Sequence, residues 1–368
     1  MAGRIVVFGA TGYTGRLVSE ALVKRGVRPL LAGRSADRLA ELASSLGGGF
    51  DTAVADVDRP ETVRALVSSG DVMVSTVGPF SKWGEPAVQA AISAGVPYLD
   101  STGEAPFIRS VFERHGRAAE AAGCGLLTAF GYDYVPGNLA GALALQEAGA
   151  AAVRVDVGYF MTGNVSAGGG MSGGTRASAG GVVFAPSFTW RDGRLQTVRS
   201  AERVRSFDVG GRSREGFTIG GTEAFALPRL SSSLREVNVY LGWFGPLSRV
   251  MQGLSAAVSA AERLPLPDLS AVSQRLFGSG SSGGPDADAR AKSRSHVVAV
   301  AADATGRALA TVHLEGTNGY TFTGDILAWG AHSALEHGLQ GVGALGPVDG
   351  FGLERLRAGC AEVGLVRV

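Results

Sequence analysis

A glycine-rich segment near the start of the chain constrains its fold more than any other feature. Residues 9–15 read GATGYTG, directly follow an apolar run at residues 5–8 and precede a stretch of helical periodicity at residues 16–25. Between a strand and a helix, such glycines allow a tight turn, close approach of the backbone to a pyrophosphate, and close packing of helix on strand. Amides at the helix start attract phosphates. We therefore predict a dinucleotide site whose cofactor-binding residues include Gly9, Thr11, Gly12, Tyr13, Thr14 and Gly15.

The first third of the chain alternates short apolar runs with amphipathic segments of helical length. The predicted strands are residues 5–8, 29–32, 52–55, 72–76, 98–99 and 126–129. Alternation at this spacing is typical of parallel strands joined by right-handed crossovers. The predicted fold class is therefore α/β, with a Rossmann doubly wound parallel sheet.

The pattern changes after about residue 138, where strands of period two become common. Val153, Val155 and Val157 alternate with Arg154 and Asp156. Apolar runs at residues 297–300 and 309–314 flank a turn at residues 303–306, which predicts a hairpin. A helix with apolar residues at helical spacing is expected at residues 247–262. We predict an inserted α+β mixed-sheet domain, with domains at residues 1–138 and 139–335 and a C-terminal helix at residues 336–368 that returns to the Rossmann domain.

Composition excludes several functional classes. Lysine and arginine total 34 against 33 aspartates and glutamates, giving a net charge of +1, so no general attraction for nucleic acid or an anionic membrane is expected. No apolar run reaches the ~18–20 residues of a membrane span, and the first apolar run meets a glycine too soon for a signal peptide. We expect a cytoplasmic protein without an integral membrane segment. The two cysteines, Cys124 and Cys360, are too few for a disulfide framework or a Cys-rich zinc site, and no metal is expected.

The choice of dinucleotide depends on the end of the second predicted strand. An NAD site normally offers an acidic side chain there to the ribose 2′-hydroxyl, whereas this chain has Arg34 and Ser35, followed one helical turn later by Arg38. A guanidinium can pair with a 2′-phosphate, and a serine hydroxyl can donate to it. This pattern favours NADP(H). The alternative is that Ser35 only caps the helix and Arg34 is solvated, in which case the cofactor is NAD.

Other strand ends point to the same edge of the predicted sheet. Asp56 follows the third strand, where it is expected either to approach the adenine or to be a solvated loop residue. The turn after the fourth strand lies where a doubly wound sheet holds its ligand. Its expected cofactor contacts are Thr76, Val77, Gly78, Pro79 and Phe80.

A nicotinamide cofactor implies hydride transfer, so a proton donor is needed. The arrangement of short-chain dehydrogenases, a tyrosine four residues before a lysine, is absent at each of the three lysines. The catalytic candidates are Tyr132 and Tyr134 in the GYDYVP segment at residues 131–136, Lys82, and water. Asp133 is expected to orient a ligand or the loop.

The chain resembles the saccharopine dehydrogenase-like oxidoreductases, and within them the bacterial branch that includes trans-acting enoyl reductases. The motifs that carry this resemblance are GATGYTG at residues 9–15, LAGR at 31–34, GPF at 78–80, DSTGE at 100–104 and GYDYVP at 131–136. The resemblance implies an NADPH-binding Rossmann domain and an inserted mixed sheet that serves as substrate and dimerisation domain. That sheet could pair across a two-fold axis, so a homodimer is one expected assembly.

The substrate has to be inferred from the middle region. Residues 163–175 are rich in glycine and serine and are flanked by aromatic residues, a composition that suits a flap over an apolar or carrier-bound substrate more than one with several carboxylates. The expected substrate contacts are Ser172, Thr175 and Arg176, with Asp133. We expect an NADPH-dependent reductase of a C=C bond in a small-molecule or acyl intermediate. The alternatives are an imine (C=N) reductase and a non-catalytic NADPH-binding sensor.

Overall fold

The computed structural model describes residues 3–163, 186–261 and 283–368. Its contacts divide into two compact units. The first comprises Met1–Thr102, Phe107–Val135 and Gly319–Gly364, and the second comprises Gly103–Pro106, Pro136–Asn318 and Leu365–Val368.

A parallel sheet forms the centre of the first unit. Its strands are β1 (Ile5–Phe8), β2 (Leu30–Gly33), β3 (Thr52–Val54), β4 (Val72–Ser75), β5 (Tyr98–Asp100), β6 (Gly125–Leu127) and β15 (Gly343–Ala344). They run in the order β15-β6-β5-β4-β1-β2-β3. The chain moves outward in one direction from β1 to β3 and in the other from β4 to β6, so the order reverses between β1 and β4. This confirms the predicted doubly wound sheet and places the ligand crevice at the carboxyl ends of these two strands.

Helices flank the strands of the first unit. They are α1 (Tyr13–Lys24), α2 (Ala36–Ser45), α3 (Pro60–Arg64), α4 (Phe80–Trp83), α5 (Glu85–Ala94), α6 (Ala105–Ser110), α7 (Gly116–Ala121), α12 (Gly319–His337), α13 (Pro347–Phe351) and α14 (Leu353–Glu362). Every residue of β1 and β4 is buried, as expected for a parallel sheet covered on both faces. From α1, Val18, Ala21 and Leu22 are buried. Each large apolar side chain buried in this way stabilises the unit by roughly 1.5–3 kcal/mol.

The helix α12 belongs to the first unit, whereas the sequence analysis assigned its residues up to 335 to the second domain. Its Gly324 lies against α1, since a Cβ at that position would come within 2.8 Å of the Leu17 Cβ. Gly330 similarly allows close approach to Phe130 and Leu99. Because both positions are glycines, α12 can pack closely on α1 and on the sheet.

A mixed sheet forms the second unit. Its strands are β7 (Arg154–Gly163), β8 (Pro186–Arg191), β9 (Arg194–Arg199), β10 (Val204–Asp208), β11 (Ser213–Ile219), β12 (Glu236–Leu241), β13 (Ser293–Ala302), β14 (Ala308–Gly316) and β16 (Val366–Arg367). The main path is β10-β11-β12-β7-β13-β14-β16, and β8 pairs with β12 and β9. β7 pairs parallel with β12 and antiparallel with β13. The expected mixed sheet and the β13–β14 hairpin are both confirmed.

The helices of the second unit are α8 (Val135–Ala148), α9 (Glu223–Leu230), α10 (Ser248–Ala261) and α11 (Ala287–Ala291). In α10 the apolar stripe is turned outward, with Val250 61% and Leu254 44% exposed. The polar face is buried instead, where Ser248 Oγ donates to the Glu215 carbonyl oxygen and Ser255 Oγ to that of Ser200. Helical periodicity predicted this helix correctly but did not reveal which face it buries. None of the described helices is long and apolar enough to cross a membrane.

Candidate active site

Two glycines of the turn after β1 are required by the protein's own packing. Gly9 has φ +90°, and a Cβ there would lie 2.7 Å from Thr76 Oγ1. A Cβ at Gly15 would lie 2.2 Å from the Gly9 carbonyl oxygen and 2.8 Å from the Ala10 Cα. Because both of the atoms nearest to Gly15 belong to the backbone, no side-chain movement could relieve that contact. Gly15 therefore sets how closely α1 approaches the turn.

The third glycine of the turn has a different setting. Gly12 is the N-cap of α1, with φ −74°, and as a glycine it has no side chain with which to cap the helix. It is exposed, and the atom nearest to a Cβ there would be the Gly9 carbonyl oxygen at 3.2 Å. Neither backbone conformation nor close packing demands glycine at this position. The open space borders the first amides of α1, which have no partners within the helix and suit an anionic group such as a pyrophosphate.

Arginines surround this turn. Arg38 donates to the Thr11 carbonyl oxygen at 3.3 Å, and Arg16 Nε donates to the same oxygen at 3.4 Å. Arg34 is exposed directly after β2. Ser35 caps α2 by accepting from the Arg38 amide at 3.4 Å. Arg16 was missed by sequence analysis, where it resembled an ordinary solvated helix residue; its position in the first turn of α1 was the available signal.

The predicted residues after β3 and β4 also lie at the carboxyl edge of the sheet. Thr76 Oγ1 donates to the Gly9 carbonyl oxygen at 3.1 Å and so joins the end of β4 to the glycine turn. Val77, Gly78 and Pro79 are half-buried beyond it. Asp56 is half-buried, and its Oδ1 accepts from the Asp58 amide at 3.1 Å within its own loop.

Two further predicted site residues, Phe80 and Lys82, lie on α4, directly after the turn that follows β4. Phe80 is buried, with its ring centroid 5.5 Å from that of Phe107. Lys82 is exposed, and its Nζ lies 4.9 Å from the centroid of the Trp83 ring. Phe80 therefore anchors α4 to the core, while Lys82 lies on its solvent side.

A buried carboxylate that the sequence analysis did not select fixes the loop after β6. Asp100 Oδ1 accepts from the Thr102 and Ala129 amides, each at 2.9 Å, and Oδ2 accepts from Thr128 Oγ1 at 2.7 Å. Burial raises the pKa of Asp100 to about 6, although these donors oppose the rise. Asp100 thus joins the ends of β5 and β6 and holds Ala129 at φ +56°.

The loop that follows carries three of the predicted residues. Tyr132 is buried, its amide donates to Thr323 Oγ1 at 3.0 Å, and its ring centroid lies 6.5 Å from that of Phe322. Burial, and then the charge of Asp133, raise the pKa of Tyr132 well above its usual value. Tyr134 is 2% exposed, and its amide donates to the Ala129 carbonyl oxygen at 2.8 Å. Both rings are therefore packed within the first unit.

Asp133 differs from its two neighbours and from Asp100. The residue is partly exposed, but its Oδ1 is buried and has no hydrogen-bond partner among the described residues. Burial alone raises the pKa of this carboxyl to about 7. An unpartnered buried carboxyl group at a sheet edge that carries a ligand turn is typical of functional sites.

The start of α12 also lies beside the glycine turn. The Tyr320 ring meets the Tyr13 ring edge to face, with centroids 5.3 Å apart. The two tyrosines are more than 300 positions apart in the chain, so no local sequence pattern could have predicted their contact. It brings an aromatic pair to the beginning of α1.

Three predicted substrate contacts, Ser172, Thr175 and Arg176, lie outside the described residues. Within the described ranges, no group of three or more His, Cys, Asp or Glu side chains is placed to hold a metal ion. Cys124 and Cys360 are both buried as free thiols.

The first third of the chain is similar to known proteins. Residues 5–126 match the model of the saccharopine dehydrogenase NADP binding domain. A trans-acting enoyl reductase of Mycobacterium leprae is 39% identical over 140 residues, which is 37% of this chain and 34% of the relative. A putative trans-acting enoyl reductase of Mycobacterium tuberculosis is 38% identical over 140 residues, covering 37% of this chain and 33% of that protein. The chain thus spans about one third of the length of these curated relatives.

A solved structure shares the fold across both units. The apo form of a histidine-tagged saccharopine dehydrogenase (L-Glu forming) from Saccharomyces cerevisiae superposes with a TM-score of 0.62 and 12% identity. It covers 100% of this chain and 99% of that one. The predicted resemblance and fold class are confirmed.

Proposed function

Because residues 5–126 belong to the family of saccharopine dehydrogenase NADP-binding domains, we propose that the protein is an NADP(H)-dependent oxidoreductase that reduces an enoyl-type C=C bond. The observation that favours an enzyme over a binding protein is the buried, unpartnered Asp133 carboxyl at the sheet edge that carries the glycine turn. Titratable groups whose pKa is raised by burial cluster at active sites, where a general acid has to stay protonated near neutral pH.

The residues around the glycine turn fit a dinucleotide. The first amides of α1, from Tyr13 to Gly15, would hold the pyrophosphate, since the exposed Gly12 leaves room for it. The guanidinium groups of Arg34 and Arg38 would hold the 2′-phosphate. Both side chains are exposed, and Arg38 already donates to the Thr11 carbonyl oxygen beside the turn, so their charge can reach a ligand there. The half-buried residues after β4 would line the crevice beside the nicotinamide.

Replacing Arg34 by Gln tests the choice of cofactor. We expect the affinity for NADPH to fall about tenfold or more, because a charge-assisted bond to the 2′-phosphate is lost. The affinity for NADH should change little. Both are measured by fluorescence titration, with Arg117→Gln on the exposed side of α7 as the matched control. If wild-type protein binds NADH more tightly than NADPH, the assignment of NADP(H) is wrong.

The chemistry requires one proton for each hydride. Bound NADPH supplies a hydride, which an enoyl substrate accepts at its β-carbon. We propose that the Asp133 carboxyl gives its proton to the α-carbon and recovers one from solvent. Tyr132, Tyr134, Lys82 and water are the other candidates for this proton. Asp133 is favoured because both tyrosine rings are packed in the core and Lys82 lies on the exposed side of α4.

The enoyl assignment is supported by the names of the Mycobacterium relatives, which match over 37% of the chain. An imine substrate is the second candidate, and the shared fold of the yeast saccharopine dehydrogenase supports it. The experiment incubates the purified protein with NADPH and a panel of α,β-unsaturated thioesters, enones and imines, and follows the nicotinamide absorbance. Oxidation with thioesters supports the proposal. Binding of NADPH without consumption across the panel would favour a sensor.

A further inference from the structure

The second unit contains a cavity that the proposed reaction does not use. Its volume is about 470 Å³, and it lies against strands β7, β10 and β12 and helix α10. Six of the side chains that line it are Arg154, Arg203, Arg205, Asn238, Tyr240 and Gln252. A cavity of this size can hold a small organic molecule.

Positive charge exceeds negative charge around this cavity. Among the three lining arginines, Arg203 pairs with Glu236, and the lining carboxylate Glu202 pairs with Arg191 at 2.6 Å, while Glu236 and Arg191 themselves lie outside the lining. The other two share one carboxylate: Arg154 Nε lies 3.2 Å from Asp156 Oδ2, and Arg205 contacts the same oxygen. Three guanidinium groups therefore line the cavity against two carboxylates, Asp156 and Glu202, which leaves one positive charge in excess.

Asp156 is shared by both arginines and Asn238. Its side chain is only 3% exposed, and its Oδ1 also accepts from Asn238 Nδ2 at 2.7 Å. Although Arg154 Nε lies within ion-pair distance of Asp156 Oδ2, it makes no hydrogen bond to any described residue. The side chains of Arg154 and Arg205 are 31% and 29% exposed, so both can reach a molecule in the cavity.

Repulsion between the two arginines adds to this imbalance. Burial lowers the pKa of Arg205, Tyr240 opposes this fall, and the charge of Arg154 adds to it. Bringing an anion to the pair would satisfy the remaining N–H groups and offset the repulsion. Burial raises the pKa of Tyr240, so its hydroxyl stays protonated and can donate to the same anion.

We propose that this cavity is a binding site for a small organic anion, whose oxyanion group, a carboxylate or a phosphate, is held by Arg154, Arg205 and the Tyr240 hydroxyl. Strands β7, β10 and β12 hold the three donors, so the site is formed on regular structure rather than on loops. The inference does not depend on the reaction proposed for the first unit.

The test is isothermal titration of the full chain with inorganic phosphate and, separately, with acetate, at constant ionic strength set by chloride. Saturating NADPH is present so that phosphate does not enter the cofactor site. We expect saturable binding of at least one anion at a single site. Tighter binding of phosphate would indicate a phosphorylated ligand, and tighter binding of acetate a carboxylate.

Variants locate the binding to this cavity. Arg205→Met and Arg154→Met should each weaken binding about tenfold or more, because a charge-assisted bond is removed. Tyr240→Phe removes one hydroxyl and provides a milder variant should either arginine variant fail to fold. Arg307→Met, in the exposed β13–β14 turn, is the matched control and should bind as wild type does. The proposal is overturned if neither anion binds saturably, or if binding is unchanged in all three cavity variants.

Discussion

Replacing Asp133 by Asn is expected to lower turnover by roughly 10²–10⁴-fold, the usual contribution of a positioned general acid. An amide fills the same space but cannot release a proton at neutral pH. Affinity for NADPH should be unchanged, because no cofactor contact is assigned to this side chain. The measurement is steady-state reduction of an α,β-unsaturated thioester, with cofactor affinity titrated separately.

The pH dependence gives this prediction a second readout. The carboxyl must be protonated to act, and burial raises its pKa to about 7. Turnover in the wild-type protein should therefore be constant well below pH 7 and fall about tenfold per pH unit above it. The residual activity of Asp133→Asn should lack this inflection. Tyr132→Phe, Tyr134→Phe and Lys82→Ala should keep the inflection and most of the turnover.

Stability separates a catalytic effect from a structural one. The pKa of an aspartate in an unfolded chain is ~3.9, whereas the pKa of Asp133 in the folded protein is about 7. Its protonated form therefore contributes stability that is fully present below about pH 4 and is lost as the pH rises through about 7. At pH 8, Asp133→Asn should be at least as resistant to urea as wild type. Asp100→Asn, which weakens a fully bonded carboxylate, should be less resistant to urea than wild type.

Wild-type turnover in Asp133→Asn would contradict the assignment of Asp133 as the general acid.

Replacing Gly15 by Ala is expected to destabilise the first unit by about 1–3 kcal/mol or more, the range for overpacking. The new Cβ would lie 2.2 Å from the Gly9 carbonyl oxygen, so the start of α1 must move away from the turn. Affinity for NADPH should fall at the same time, because the first amides of α1 shift with the helix. Urea unfolding and a fluorescence titration measure the two effects.

Gly12→Ala is the matched control for this prediction. Its backbone has φ −74°, and the nearest contact of a new Cβ is 3.2 Å, which a small shift can absorb. We expect nearly wild-type stability but weaker NADPH binding, because the added methyl group takes space beside the helix amides. Equal stability of Gly15→Ala and wild type would refute the packing role of Gly15. Unchanged NADPH affinity in Gly12→Ala would refute the cofactor position.

Much of the fold could be predicted from local patterns. The apolar runs and glycine turn gave the doubly wound sheet, because strand–helix alternation leaves few topologies. The packing of α12 on α1 could not be predicted, because the residues in contact, such as Tyr320 with Tyr13 and Gly324 with Leu17, are distant in the chain. The orientation of α10 was equally hidden, since buried serine hydroxyls reverse the face that periodicity favours.

Some residues of the candidate site could likewise be predicted from the sequence, and others could not. The strand-end residues were predictable because parallel strands bring their carboxyl ends to one edge. Asp100 was not, because its partner Ala129 is 29 positions away and no short motif links them. Asp133 could not be singled out from the sequence, because what distinguishes it is a buried Oδ1 without a hydrogen-bond partner among the described residues. Only the packing of the chain determines this.

Transfer of deuterium tests the central claim most directly. NADPH carrying deuterium at one or the other face of nicotinamide C4 is incubated with the protein and an α,β-unsaturated thioester, and the product is analysed by mass spectrometry and NMR. The account predicts one deuterium at the β-carbon, from one of the two labelled cofactors only, and a solvent proton at the α-carbon. Binding of NADPH with no label in the product of any thioester, enone or imine would contradict it.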